Sequence, residues 1–441
     1  MSGEQDGTEA GAPTLRRTLG FWQLTAGGVG IIIGAGIYVL LGAATAKAGP
    51  PVWAAFLLAA VLCALTALSY AELASMFPSA AAEYEFTRHA FPEWLAFLVG
   101  WVMIAGLVVA AAAVSLGFAR YLGQFVDLGQ RGPALGLIVV VSLIAVIGIK
   151  QSSWVILALS TIQVGGLLAI IAIGAGHLGE HQLTAGVSSG GVLGAAALVF
   201  FAFIGFDEVI TLSEETRNPT KTVPKALLAA LAISTALYVL VAIAAVSVLG
   251  AQALSESERP LADVMAEVAG GGAGNVVAVI ALISTTNTTL LALTAASRLV
   301  YGMASSSALP FVLAAVNRRT GTPIRAILVA TMVSAGFVFV GKLTLVASIT
   351  DFAVYLVFLA VNGTVIVLRW REPERARPFR VPGPAKRVPL LAILGIASVA
   401  LMITRLELDA ILLGLVMCAL GLGAGWFETK RRRQSGGRAG V

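Results

Sequence analysis

The residues of this chain best suited to chemistry lie inside its apolar stretches. Asp207 and Glu208 directly follow Gly205 and an aromatic run in the segment FFAFIGFDEVITLSEETRNP. A second candidate is the glycine-rich string AGGVGIIIGAGIY, which ends at Tyr38. Ionisable residues inside an apolar span are costly and usually line a cavity or face a partner. A glycine-rich break in a helix frees backbone amides that bind an anion. Together the two segments indicate a polar binding site inside an apolar protein.

Each segment also has a purely structural explanation. Gly30 and Gly34 stand four residues apart, which is the spacing of small residues on closely packed membrane helices. The string alone is therefore equally consistent with a packing face. Asp207 and Glu208 are alternatively residues near the cytoplasmic end of an ordinary helix.

Enzymatic chemistry has few candidates. His177 and His181 stand four residues apart, but neither they nor His89 has a Cys nearby, and Cys63 and Cys418 both lie in apolar stretches. The motif HExxH does not occur in the sequence, and GxSxG occurs only at residues 186–190, in the loop between the fifth and sixth apolar stretches. A metal centre, a disulfide framework and a catalytic triad are therefore not expected. The sequence predicts neither an enzyme nor a bound cofactor.

The elements that must position these residues are membrane helices. The 441 residues are 58% hydrophobic and only 12% charged, with a mean hydropathy of +0.92, whereas soluble proteins carry roughly 25% charged residues. The net charge of +6 does not indicate nucleic acid, because most basic residues lie in short loops between apolar stretches. We predict an all-α polytopic protein that is surrounded by a lipid bilayer and implies no obligatory protein partner.

Charges and turn residues delimit twelve segments close to the roughly 20 apolar residues that cross a bilayer. The predicted spans are 20–46, 52–76, 94–119, 132–149, 153–178, 190–213, 225–249, 274–303, 325–341, 346–368, 388–404 and 407–427. With the N-terminus inside, Lys and Arg split 23 to 6 in favour of cytoplasmic segments, as the positive-inside rule requires. We predict a plasma-membrane protein whose tails, 1–19 and 428–441, are both cytoplasmic.

The glycine string and the acidic segment occupy corresponding places in this arrangement. If spans 1–5 (20–178) and 6–10 (190–368) are inverted repeats, followed by two further spans (388–427), an interrupted helix opens each repeat. Such a pair is the best sequence indication of a transporter site near the bilayer midplane. This pattern favours a binding function over an ordinary helix end.

The chain resembles the amino acid-polyamine-organocation (APC) superfamily of secondary amino-acid transporters over roughly residues 20–390. The resemblance rests on GIIIGAGIY in span 1, FPEWLAFLVGW entering span 3, FFAFIGFDEVITLSEETRNPTKTVPKAL through span 6, SRLVYGMASSSALP with NRRTGTPI after span 8, and RPFRVPGP between spans 10 and 11. It implies a leucine-transporter-type fold, with a five-plus-five inverted repeat and discontinuous helices 1 and 6. It also implies an amino-acid substrate moved by alternating access.

The resemblance further implies a set of substrate-binding residues. The backbone amides of Gly34, Ala35 and Gly36 are expected to bind the substrate carboxylate. The carbonyls of Ile32, Ala202 and Ile204 are expected to accept its α-ammonium group, and Phe201 to cover it. Free amides suit an anion and free carbonyls suit a cation, so the backbone alone is able to bind a zwitterion.

Two positions depart from related proteins. Gly106 in span 3 stands where some cationic-amino-acid carriers have a glutamate, so a neutral, mainly aliphatic or small substrate is favoured. Gln163 in span 5 stands where proton-coupled relatives have a lysine, and an amide does not exchange a proton at physiological pH. Span 8 offers an oxygen-rich run that begins at Ser284 and Thr285 and suits a hard cation. Coupling is thus open among sodium, a proton carried by Asp207, and exchange without a coupling ion.

The polar residues of spans 5 and 8 also have purely structural explanations, and other functions remain to be compared with transport. Gln163 and the span-8 hydroxyls are also consistent with hydrogen bonds between helices. An enzyme would need a catalytic constellation at membrane depth, and a channel would show a polar stripe along several helices, whereas polar residues are concentrated in spans 1, 6 and 8. The nearest alternative is a polyamine or cationic amino-acid carrier of the same superfamily.

Overall fold

The computed structural model describes residues 19–77, 82–148, 153–186, 188–211, 216–306, 308–317, 319–383 and 387–436. These residues form sixteen α-helices, with one isolated β-bridge between Leu19 and Thr216. The helices are α1 (Phe21–Ile32), α2 (Gly36–Ala48), α3 (Val52–Met76), α4 (Ala82–Ala90), α5 (Glu93–Leu122), α6 (Arg131–Ile147), α7 (Ser153–Gly174), α8 (Ser189–Val199), α9 (Glu208–Thr211), α10 (Pro219–Glu256), α11 (Pro260–Ala269), α12 (Gly271–Ser305), α13 (Ile324–Val338), α14 (Leu343–Arg371), α15 (Leu390–Ile403) and α16 (Leu408–Gly436).

The apolar helices have the lengths that a bilayer requires. Within the described ranges, eight helical segments are long and apolar enough to cross a membrane, and the bent pair of α1 and α2 provides a ninth. Three further apolar helices, α6, α13 and α15, are shorter, with 17, 15 and 14 residues. The expectation of an all-helical, polytopic membrane protein is therefore confirmed.

The packing places the two interrupted segments against a common framework. α12 and α14 pack against the long helix α5, while α10 packs against α1 and α3. The bridge between Leu19 and Thr216 is reinforced by the Arg217 N–H, which donates to the Leu19 carbonyl at 2.9 Å. The start of α1 and the chain that follows α9 therefore lie at the same end of the bundle.

Candidate functional site

The first interruption, residues 33–35, separates α1 from α2 with a bend of 50°. The Gly34 N–H donates to the Ile32 carbonyl at 2.8 Å, and the Ala35 N–H donates to Thr288 Oγ1 of α12 at 3.2 Å. Two of the three amides expected to bind a carboxylate thus have protein partners in this structure. The amides from Gly36 onward open α2, where a helix lacks intrahelical acceptors for its first N–H groups.

Close neighbours explain why glycines occupy this segment. A Cβ on Gly36 would lie 2.5 Å from the Cα of Ala202, which belongs to the other interrupted segment. A Cβ on Gly30 would collide with the Ser160 hydroxyl on α7. The packing explanation and the broken-helix explanation therefore both hold, but at different glycines: Gly30 packs helix against helix, and Gly36 lets the two interrupted segments meet.

The second interruption, residues 200–207, lies between α8 and α9. A 3-10 turn spans Phe200–Phe203, and the chain then turns at Gly205, whose φ of +108° is a conformation that glycine adopts without strain. Asp207 Oδ1 accepts a hydrogen bond from the Gly205 N–H at 3.2 Å. The aspartate thus holds the turn closed from within.

One cavity lies between the two interruptions. Its lining contains seven of the eight predicted substrate residues, namely Ile32, Gly34, Ala35, Gly36, Phe201, Ala202 and Ile204. The eighth, Gly106, faces α14, where its Cβ would lie 3.2 Å from the Cβ of Ala353. The cavity wall from α5 consists instead of Leu107, Ala110 and Val114.

Glu208 is the one ionisable side chain among the described residues that line this cavity. Arg298, on α12, attracts its carboxylate electrostatically. The neighbouring Asp207, a predicted proton carrier, is not among the lining residues. Because Asp207 ends the turn and Glu208 begins α9, the two adjacent acids occupy different environments.

Asp207 instead connects the second interruption to α4. Its carboxyl group is hydrogen-bonded to that of Glu83, and the Tyr70 hydroxyl donates to Glu83 Oε1 at 3.2 Å. Two carboxyl groups share a hydrogen bond only when one of them carries a proton. Burial and, secondly, the charge of Asp207 raise the pKa of Glu83 to about 8. The pair therefore holds a proton near neutral pH.

Of the predicted coupling residues, Gln163 lies on α7, Ser284 and Thr285 lie on α12, and Asp207 lies in the second interruption. Gln163 is only 1% exposed, and neither end of its amide has a hydrogen-bond partner within the described part of the chain. Ser284 Oγ is also buried and unpartnered there, whereas Thr285 Oγ1 donates to the Ala281 carbonyl of its own helix at 2.8 Å. Buried polar groups are costly unless water or an ion meets them. Gln163 and Ser284 therefore fit such an occupant better than Thr285 does.

Tyr238 on α10 is a site residue that sequence reasoning missed. Its hydroxyl lies 2.7 Å from the carbonyl oxygen of Ile32 and 2.9 Å from that of Ala202. A single tyrosine in an apolar span carries no recognisable signal, because its importance depends on which backbone atoms its hydroxyl reaches. Glu208 was visible in the sequence, but its place in the cavity depends on the direction of the turn.

Comparison with known proteins agrees with a membrane carrier. A profile described as amino acid permease matches residues 19–420. The branched-chain amino acid permease BcaP of Bacillus subtilis (strain 168) is 31% identical over 436 residues, covering 94% of this chain and 93% of the relative. The methylthioribose transporter of the same organism is 31% identical over 391 residues, covering 84% and 85%. Cationic amino acid transporter 4 of Homo sapiens is 31% identical over 405 residues, covering 86% and 63%.

Proposed function

The chain belongs to the amino acid permease family, and we propose that it is a secondary transporter that moves amino acids across the plasma membrane by alternating access. Family membership confirms the resemblance to the APC superfamily and a transporter rather than an enzyme. The observation that carries the mechanism is the cavity between two interrupted helices, lined by backbone atoms of both. Discontinuous helices of this kind bind substrates and coupling ions in transporters.

We further propose twelve spans in a five-plus-five inverted repeat, with both termini in the cytoplasm. The nine long apolar segments and the three shorter helices α6, α13 and α15 together support that number. The contact between Leu19 and Thr216 supports the inverted relation, because it joins the start of one interrupted segment to the end of the other. The charge distribution supports the orientation.

The substrate is proposed to lie with its two charged ends on the two interruptions. Its carboxylate approaches the N-terminus of α2 from Gly36 onward, because the amides of Gly34 and Ala35 have partners. Its α-ammonium group approaches the carbonyls of Ile32 and Ala202, together with that of Ile204. Helix N-termini favour anions and free carbonyls favour cations.

A neutral, mainly aliphatic side chain fits the walls best. Leu107, Val114 and Leu291 line the cavity, and the α5 wall carries no acid. A specific observation favours the alternative of a cationic substrate, since Glu208 also lines the cavity. The names of the relatives include both a branched-chain permease and a cationic amino acid transporter, so the two classes are to be separated by experiment.

Coupling is proposed to proceed without the lysine-based proton switch, because Gln163 stands in its place. The unpartnered amide of Gln163 and the hydroxyl of Ser284 support a sodium ion between α7 and α12. A proton on Asp207, or exchange without a coupling ion, are the remaining modes. The three modes differ in the gradient that drives transport: a sodium gradient, a pH gradient, or the gradients of the exchanged amino acids alone.

Thermal stabilisation of the purified protein tests the function and the substrate class, because a ligand that binds the folded state raises its melting temperature. We expect leucine and valine to stabilise the protein, and leucinamide, which lacks the carboxylate, to have no effect. If lysine and arginine stabilise it more, and Glu208→Gln removes their advantage, the substrate is cationic. Counterflow in proteoliposomes, with and without sodium and a pH gradient, then identifies the coupling ion. Absence of stabilisation and of counterflow with every amino acid would overturn the proposal.

A further inference from the structure

The hydroxyl of Tyr238 joins the two interruptions at one point. Its oxygen lies within hydrogen-bond distance of the carbonyls of both Ile32 and Ala202. A hydroxyl has one hydrogen, so Tyr238 donates to only one of these carbonyls at a time. The carbonyl that does not receive this hydrogen keeps at least one lone pair for a different donor, since Ile32 also accepts from the Gly34 N–H.

The position of this hydroxyl is fixed by packing on the side away from the substrate cavity. Tyr238 is fully buried, and its ring packs edge-on against Phe203 at a centroid distance of 5.2 Å and in a tilted arrangement against Phe56 at 5.8 Å. The ring is absent from the described lining of the cavity, whereas Ile32 and Ala202 belong to it. Tyr238 therefore acts on the cavity through the two carbonyls.

We infer that Tyr238 is a positioning residue for the group that binds the substrate ammonium, an inference that rests on the proposed function. Two carbonyl dipoles that converge on one point repel each other, and a hydroxyl hydrogen between them reduces that repulsion. Each carbonyl oxygen has two lone pairs, and one of those on Ile32 already accepts from the Gly34 N–H. When Tyr238 donates to Ala202, each of the two carbonyls therefore keeps one lone pair for an ammonium N–H. Tyr238 thereby keeps both acceptors in place before a protonated amine arrives.

The chain offers a matched control for this role. Tyr355 on α14 is also fully buried, and its hydroxyl donates to the carbonyl of Ala197 at 3.0 Å. Ala197 is not among the cavity-lining residues. Tyr355→Phe therefore removes the same chemical group from a similar environment without touching the ammonium acceptors.

The test compares amino acids with analogues whose ammonium group is replaced by a hydroxyl. Binding of leucine and 2-hydroxy-4-methylpentanoate, and of lysine and 6-amino-2-hydroxyhexanoate, is measured by titration calorimetry on purified wild-type, Tyr238→Phe and Tyr355→Phe proteins. We expect Tyr238→Phe to weaken binding of the preferred amino acid about tenfold and that of its hydroxy acid less than twofold, as for loss of one hydrogen bond near a charged group. Tyr355→Phe should leave the ratio of the two affinities unchanged.

Equal weakening of both ligands by Tyr238→Phe, or none, would overturn the inference while leaving amino-acid transport intact. A wild-type protein that binds none of the amino acids would overturn the proposed function, and this inference with it. If Tyr238→Phe does not fold, Phe203→Leu provides the second variant, because it keeps the hydroxyl but removes the ring that orients it. The same selective loss, at smaller size, is then expected, and an unchanged ratio would again contradict the role.

Discussion

The two interruptions meet at the same cavity but are held in different ways. Residues 33–35 carry no charge and depend on neighbours, since the Ala35 N–H donates to Thr288 and the adjoining Gly36 of α2 fits against Ala202. Residues 200–207 depend largely on their own chemistry, with Gly205 in a conformation that other residues avoid and Asp207 closing the turn. The first interruption should therefore be sensitive to added volume, and the second to backbone conformation and protonation.

The contrast extends to the elements that each interruption contacts. The first contacts α12 through Ala35, and Gly30 of the adjoining α1 packs against Ser160 of α7, so the interruption lies beside the helices that carry Gln163 and Ser284. The second carries Phe201, which is predicted to cover the substrate, and reaches α4 through Asp207 and Glu83. If conformational change is transmitted to the segment between α3 and α5, the second interruption is the part that contacts it.

The largest effect is expected from Gly36→Val at the first interruption. The new side chain would begin 2.5 Å from the Cα of Ala202, so the two interruptions would have to separate. Overpacking of this kind costs about 1–3 kcal/mol, and the residue displaced here, Ala202, is one of the proposed substrate acceptors. We expect amino-acid binding to weaken by about 100-fold or more, measured by calorimetry.

Gly136→Val on α6 is the control, because nothing lies within 4 Å of a Cβ at that position. It should bind amino acids as the wild type does. Unchanged affinity in Gly36→Val would show that the interruptions need not touch, and the contrast with the second interruption would disappear.

At the second interruption, Gly205→Ala should reduce stability more than its volume alone would. Alanine at a φ of +108° is strained whatever the space around it, at a cost of about 1–3 kcal/mol. The added Cβ would also lie 3.2 Å from Ile31 Cγ2. We expect a fall of several degrees in the melting temperature in detergent.

Gly176→Ala, at a position with open space and no positive φ, should leave the melting temperature close to that of the wild type. If Gly205→Ala and Gly176→Ala have the same melting temperature, the turn is not held by the conformation of Gly205. The second interruption would then resemble the first in depending on its surroundings.

The existence of both interruptions was predictable from the sequence, but the contacts that hold them were not. Glycine density in AGGVGIIIGAGIY and two acids after Gly205 are local signals, because each conflicts with an ordinary apolar helix. Seven predicted substrate residues fell on one cavity because the backbone of a broken helix lines it whatever the side chains are.

Residues that act across the fold gave no such signal. Gly106 and Leu107 differ by one position on α5, and only the rotation of that helix decides which one reaches the cavity. Tyr238 and Glu83 act on atoms far away in sequence. The pattern of apolar residues along the sequence predicts neither the rotation of α5 nor these long-range contacts.

The smallest effect is expected from Glu83→Gln, which tests whether the second interruption is held by a proton. The pKa of Glu83 is raised from 4.5 to about 8, first by burial and second by Asp207. Between pH 4.5 and about pH 8, the Glu83 carboxyl group is therefore protonated to a greater extent in the folded protein than in the unfolded chain. This group therefore stabilises the fold fully at low pH and loses that contribution as the pH rises through about 8.

The substituted glutamine has no proton to lose, since its amide would donate to Asp207 at every pH. Wild-type protein should therefore lose about 1 kcal/mol more stability than Glu83→Gln between pH 5 and pH 8.5, a figure reduced from the full linkage because the side chain is partly exposed. Melting temperatures across this range give the measurement. Glu85→Gln is the control, since Glu85 is on the same helix and contacts Arg88 and His89 instead. Parallel pH profiles for wild type and Glu83→Gln would mean that the link from α4 to Asp207 does not depend on a shared proton, and that the second interruption, like the first, is held by packing.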